Sequence, residues 1–86
     1  MRNIQEQIVI SLISYTLEVD PAVITPDTHL IDDLQATKAD LMSLYYAIEE
    51  ELCISINLNI ILNCRTVRDV INVFEKHSYF NSKLCH

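Results

Sequence analysis

Asp33-Leu34-Gln35-Ala36-Thr37-Lys38-Ala39-Asp40 is the stretch on which the reading of this chain turns. Thr37, with Asp40 three residues later, has the form of a capping box, in which a hydroxyl and a carboxylate satisfy amides that a helix start leaves unpaired. Downstream, Leu41, Leu44, Tyr45, Ile48 and Leu52 recur at helical spacing, while Asp40, Ser43, Glu49 and Glu50 fall elsewhere on the wheel. The spacing predicts a helix over about 37–52.

Upstream of that helix, Pro21 and Pro26, with Asp20, Asp27 and Thr28, exclude continuous helix from about 18 to 36. Val23, Ile24, Leu30, Ile31 and Leu34 within this connection predict a loop pinned to a core and not a free linker. Before it, Asn3 and Glu6 repeat the capping signature, and Ile4, Ile8, Leu12 and Tyr15 recur at helical spacing, predicting a first helix that starts near Ile4. Asn57 to Leu62 reads as one or two short helical turns. Thr66 and Asp69 open a last helix in which Val67, Val70, Ile71 and Phe74 face inward, out to about His77. One domain over 1–77 and a flexible tail over 78–86 are expected. The chain has no glycine, so Asn57, Asn63 and Asn81 are the expected left-handed residues at helix ends. Gly-rich phosphate loops, and with them P-loop and dinucleotide-fold functions, are excluded.

Charge narrows the partners. Six Lys and Arg stand against twelve Asp and Glu in 86 residues, for a net charge of −6. Between Arg2 and Arg65 the only Lys or Arg is Lys38, whereas Glu6, Glu18, Asp20, Asp27, Asp32, Asp33, Asp40, Glu49, Glu50 and Glu51 share that interval. A surface of that sign repels nucleic-acid phosphates and anionic lipid and attracts basic protein patches, so protein partners are expected and nucleic acid is not. Half the residues are hydrophobic, enough for a modest core without metal or disulfide. Three cysteines, Cys53, Cys64 and Cys85, are an odd number without CxxC spacing. No secretory leader is recognised, and no apolar run approaches the roughly 18 residues of a membrane span, so a reducing, cytoplasmic setting is expected. Cys53 and Cys64 read as small buried hydrophobes. Cys85-His86 is the only adjacent Cys/His pair, and no metal site is expected. The carboxylates Asp32-Asp33 and Glu49-Glu50-Glu51 have no inferred pocket in which to act as acid and base, so neither a catalytic residue nor an enzyme activity is expected.

Four segments, in order, carry a family resemblance: Leu17-Glu18-Val19 ending the first helix; Thr25-Pro26-Asp27-Thr28-His29-Leu30-Ile31-Asp32-Asp33-Leu34 in the loop; Ala47-Ile48-Glu49-Glu50-Glu51-Leu52 closing the second helix; and Arg65-Thr66-Val67-Arg68-Asp69-Val70 opening the last. Over roughly residues 4–77 the chain resembles an acyl carrier protein. The resemblance implies an all-α fold, a four-helix bundle of three long helices and one short, with a long ordered first loop. In that family the opening octapeptide reads Asp-Leu-Gly-Ala-Asp-Ser-Leu-Asp, and the Ser carries 4′-phosphopantetheine by a phosphodiester at the start of the second helix. Free amides and the positive dipole end tolerate a phosphate there. Here Gly is Gln35, Asp is Thr37, Leu is Ala39 and the attachment Ser is Lys38. Lysine forms no phosphodiester, and its ammonium, with a reference pKa of about 10.4, is a poor nucleophile at neutral pH. Thr37 stands one position early and reads as the cap, and Ser43 lies five residues further on. The expectation is a monomeric carrier-like protein with no cofactor, acting as a protein-binding adaptor, with a specialised setting such as protein secretion implied by resemblance. The alternative is a working carrier in fatty-acid, lipid or polyketide synthesis that attaches the arm through Thr37.

Lys38 has three readings: a solvated residue left by drift, a cation paired with Asp33, Asp40 or an acidic partner, and an acylation site, for which nothing obvious lowers its pKa. A cation in the first helical turn opposes the dipole by about 0.3–1 kcal/mol. The family docks through acids on its second helix, at positions matched here by Asp40, Glu49 and Glu50, while Thr37 and Ser43 replace two others. Met42 and Tyr46, one turn apart, read as an exposed apolar pair, completing a partner surface of Lys38, Asp40, Met42, Tyr46, Glu49 and Glu50. The plainer reading of Tyr46 is a ring along the core edge with its hydroxyl in water. In the short helix, Ile61 and Leu62 are expected in the core, with Leu58 and Ile60 left for contacts.

Overall fold

The computed structural model describes residues 4–53 and 55–81, the last four of these by their backbone alone. Four α-helices follow one another: α1 (Ile4–Leu17), α2 (Lys38–Leu52), α3 (Leu58–Leu62) and α4 (Val67–Asn81), with a 3-10 turn at Pro21–Val23 in the first connection. Helix α1 packs against both α2 and α4, and the short α3 packs against α2 and α4. This is the all-α, acyl-carrier-like four-helix bundle that the sequence implies.

The helix starts obey their capping signals. At α2 the Thr37 amide donates to the Asp40 carboxylate at 3.0 Å, and the Asp40 amide donates to Thr37 Oγ1 at 3.1 Å. At α4 the amides of Arg65 and Thr66 donate to Asp69 Oδ2 at 2.9 and 3.2 Å, and the Asp69 amide donates to Thr66 Oγ1 at 3.3 Å. These amide bonds, Arg65 first, hold the Asp69 carboxyl below its ordinary value. Asn3, the expected cap of α1, lies outside the described residues. Helix α4 runs to Asn81 and not to His77, because no Pro or Gly interrupts 78–81. The rest of the expected tail, 82–86, lies outside the described residues.

Packing decides the buried face of α1, and two expectations, on the first loop and on the left-handed residues, are corrected. In α1 the buried residues are Val9, Ile10 and Ile13, while Ile4 and Tyr15 are 67% and 86% exposed and Ile8 and Leu12 are only half-buried. Apolar residues occupy nearly every side of this helix, so its period does not choose a face; packing against α2 and α4 does. In the first loop Ile24 and Leu30 are wholly buried and Leu34 packs on the core, but Val23 and Ile31 point outward. Among the described residues left-handed backbone falls on Glu18, Gln35 and Cys53, with φ of 57°, 57° and 60°, and not on asparagines. Asn57 is the N-cap of α3, its side chain accepting from the Asn59 amide at 2.9 Å, and Asn63 ends α3 in right-handed conformation. Position relative to the helix end dictates the left-handed residue: after α1 the Val19 amide reaches back to Ser14 O at 3.1 Å, and the Ser14 hydroxyl donates to Val19 O at 2.6 Å. Each non-glycine residue held there costs about 1–2 kcal/mol.

Leu41, Leu44, Ile48 and Leu52 of α2, Ile61 of α3 and Val67, Val70, Ile71 and Phe74 of α4 complete the core, with Tyr45 and Leu62 packed at its edge. Cys64 is buried, and burial, with Asp69 nearby, pushes its thiol up to about 11. Cys53 is exposed, contrary to expectation, because it forms the left-handed end of α2. The buried face of α1 predicts that Ile13→Ala lowers unfolding free energy by about 2–4 kcal/mol and Ile4→Ala by less than about 0.5 kcal/mol in denaturant titrations. Asp69 adds a pH dependence: its contribution is present above the ordinary value of 3.8 and is lost as pH falls through the lowered folded value. Asp69→Asn, which cannot ionise, is expected to flatten that part of the acid-side fall in Tm.

Candidate functional site

The loop leading into α2 is built to deliver one short segment to the surface. Residues 30–34 form a helical turn whose start is covered by Asp33: its Oδ2 accepts from the His29 amide at 2.8 Å. Gln35 then turns left-handed, its amide donating to Ile31 O at 3.0 Å, and the Ala36 amide closes back on Leu30 O at 2.9 Å. That reversal sends Ala36 into the core at 7% exposure and leaves Thr37 extended, at φ −90° and ψ 171°, as the cap of α2. Lys38 is the first residue of the helix and is exposed, as are Thr37 and Ala39.

The carboxylates nearest to Lys38 in sequence are engaged with backbone, Asp33 on His29 and Asp40 on Thr37. Among the described residues the ion pairs are Arg68 with Asp27 at 2.8 Å and His29 with Asp32 at 3.9 Å, so Lys38 makes neither of the neighbour pairings considered from the sequence. An ammonium offers no oxygen for a phosphodiester. Two hydroxyls lie nearby. Thr37 Oγ1 is occupied as an acceptor in the capping box, and Ser43 sits more than a turn further along α2, away from the free amides of its start. This set of groups does not fit phosphopantetheine attachment in the family's manner.

The six residues expected to form a partner surface divide in the structure. Lys38, Tyr46 and Glu50 are exposed and Met42 is half-buried, and Tyr46, 60% exposed, meets the Tyr45 ring with centroids 5.2 Å apart. Asp40 caps the helix. Glu49 is half-buried: its Oε2 accepts from the Ile56 amide at 2.7 Å, and its hydrogen bond to Tyr45, followed by burial, holds the Tyr45 phenol above its ordinary value. Glu49 therefore ties α2 to the segment before α3, a role that a sequence of three glutamates does not single out. Ile61 is buried and Leu62 packs on the core, whereas Ile60 is 39% exposed and Leu58 is half-buried. Among the described residues no group of three His, Cys, Asp or Glu side chains could hold a metal ion.

A helical bundle that presents the start of its second helix on a strapped loop defines a carrier-type domain. The family model for the phosphopantetheine attachment site matches residues 7–74. The chain is 38% identical over 71 residues to the acyl carrier protein of Rickettsia typhi, covering 83% of each chain. It is 32% identical over 69 residues to that of Syntrophobacter fumaroxidans, covering 80% of this chain and 85% of the relative. It is also 42% identical over 50 residues to the acyl carrier protein AcpXL of Rhizobium etli, covering 58% of this chain and 54% of the relative. The chain belongs to the acyl carrier protein family.

The site's geometry separates two backbone effects. Gln35→Gly removes left-handed strain and is expected to raise unfolding free energy by about 0.5–1 kcal/mol, after allowing for the added freedom of glycine in the unfolded chain. Thr37→Ala is expected to lower it by about 1 kcal/mol through loss of the cap. Thermal and denaturant unfolding of the two variants check both signs.

Proposed function

We propose that this chain is an acyl-carrier-like protein without its own phosphopantetheine arm, working as a protein-binding adaptor, in the cytoplasm and as a monomer. The observation that carries the reading is Lys38 at the first position of α2, with the preceding Thr37 oxygen accepting the Asp40 amide. The scaffold that orients an attachment residue is kept, and the residue on it cannot make the phosphodiester. Transfer chemistry through a thioester is then not available to this chain, and it is not an enzyme. What remains for it to do is bind proteins, as carrier domains do, through the exposed part of α2: Lys38, Met42, Tyr46 and Glu50, with Asp40 and Glu49 shaping that helix from within. A lone cation beside an apolar Met/Tyr pair fits a partner with an acidic group next to a hydrophobic hollow. An accessory role in a specialised system such as protein secretion accords with this. No helix among the described residues is long and apolar enough to cross a membrane.

One observation favours the alternative, a working carrier in fatty-acid, lipid or polyketide synthesis. Thr37 is exposed, and in the capping box its oxygen accepts, which leaves the O–H proton uncommitted. Intact-mass measurement after incubation with a phosphopantetheinyl transferase and coenzyme A decides between them. No mass increase is expected; an increase equal to one arm, mapped to Thr37, would overturn the adaptor reading. For the surface itself, Lys38→Glu combined with Tyr46→Ala is expected to abolish capture of partners in a pull-down, and undiminished capture would place the surface elsewhere.

A further inference from the structure

Helix α1 carries a second apolar stripe that the core covers only in part, Ile8 and Leu12 packing against its edge. Ile4 and Tyr15 stand out from it at 67% and 86% exposure, with Ile8 and Leu12 half-buried between them. Two hollows flank this stripe where α1 lies against α2. One, of about 750 Å³, is lined by Ser14, Tyr15, Thr16, Glu18 and Val19 of the first segment and by Ser43 and Ala47 of α2. The other, of about 360 Å³, is lined by residues of α1 from Ile4 to Leu12 and by Glu51 of α2. Ser43, Ala47 and Glu51 are spaced four residues apart, so they form one line along α2 about 12 Å long. Since Ser43 meets the C-terminal end of α1 and Glu51 its N-terminal end, the helices run antiparallel and the two hollows lie in series. We refer to this pair of hollows in line as the α1–α2 groove: small side chains, Ser14, Ser43 and Ala47, line the first, and apolar side chains of α1 stand in both, Tyr15 and Val19 in the first and Ile4, Ile8 and Leu12 in the second.

We propose that this α1–α2 groove is a docking site for a basic amphipathic helix of a partner protein. The arrangement argues for a helix: two hollows in line between a pair of packed helices, the first lined by small side chains, admit a third helix at close approach. The charge argues for a basic one. Each hollow has one glutamate in its lining, Glu18 and Glu51, both exposed. No Lys or Arg occurs in α1, and the single one in α2, Lys38, lies roughly half a turn round the helix from Ala47. An apolar strip of the partner would cover Tyr15, Leu12 and Ile8 while flanking Lys or Arg side chains reach the glutamates. A second copy of this chain is a poor occupant, because it would set like carboxylates against each other on molecules of net charge −6. The groove lies away from Lys38 and does not depend on whether an arm is attached.

The test uses the intact chain and a designed peptide about three helical turns long, with leucines on one face and lysines beside them. Its controls are a scrambled peptide of the same composition and a peptide with glutamates replacing the lysines. The amphipathic lysine peptide is expected to bind in calorimetric titration and to shift amide signals of residues 11–18 and 43–51. Both controls, and Tyr15→Ser with the original peptide, are expected to bind about tenfold more weakly or worse, as for loss of a contact anchor. Tyr15 is almost fully exposed, so this variant keeps the fold. Equal binding of the scrambled peptide, shifts centred on Lys38 and Tyr46, or an unchanged affinity of Tyr15→Ser would overturn the groove while leaving the mass test of the arm untouched. So would sedimentation showing self-association that Tyr15→Ser abolishes.

Discussion

Everything at the exposed end of this bundle rests on the strap between the first loop and the start of α4. The first amides of a helix have no partner within it, and here loop carbonyls provide them: Thr28 O accepts from Val67 at 2.9 Å and Pro26 O from Arg68 at 2.8 Å. In return Arg65 O accepts from the Leu30 amide at 2.9 Å. These bonds form the single antiparallel bridge, between His29 and Thr66, found among the described residues. Thr28, the buried polar residue of the loop, is satisfied as well, its Oγ1 accepting from the Thr25 amide at 2.9 Å. A connection of this length would otherwise lose more in conformational entropy than two buried side chains return. Fixed by the strap and by Ile24 and Leu30, it holds the start of α2 at a set distance from α4. The surface pair Arg68–Asp27, both partners more than half exposed, adds little beside this.

Two locally unfavourable choices then sit within four residues of each other. Gln35 is left-handed at the place where the family has glycine, and Lys38 puts a cation at the positive end of a helix dipole. Neither disturbs the architecture, because the Thr37–Asp40 capping box and the strap hold the loop with Gln35 in its left-handed turn, whichever side chains stand at 35 and 38. The bundle therefore separates the geometry of presentation from the chemistry presented, so the residue at the helix start can change while its position does not.

Much of this was legible in the residues. The caps at Thr37 and Thr66 were readable because a capping box needs only two side chains at a fixed interval, and a local hydrogen bond requires no distant partner. The inward stripes of α2 and α4 were readable because polar residues mark the opposite face. The buried face of α1 was not: with apolar residues nearly all round, a period of 3.6 names no side, and Val9, Ile10 and Ile13 fill the core while Ile4 and Tyr15 stand outside it. Likewise Cys53 looks like a buried hydrophobe until the end of α2 puts it in a left-handed turn. The internal role of Glu49 depends on the Ile56 amide seven residues away, which no pattern of charges reveals.

The order of the family's motifs by itself carried the resemblance that implies the family and the four-helix plan, and residue identity alone gave the acidic balance, the lack of a hydroxyl at position 38 and the capping signals, which act within one helical turn. Which face of α1 is covered, which residues turn left-handed, and which glutamates are occupied within the fold were decided only by tertiary structure. Each of those depends on groups that are remote in the chain, or on where a helix meets its neighbours, and packing alone brings such groups together.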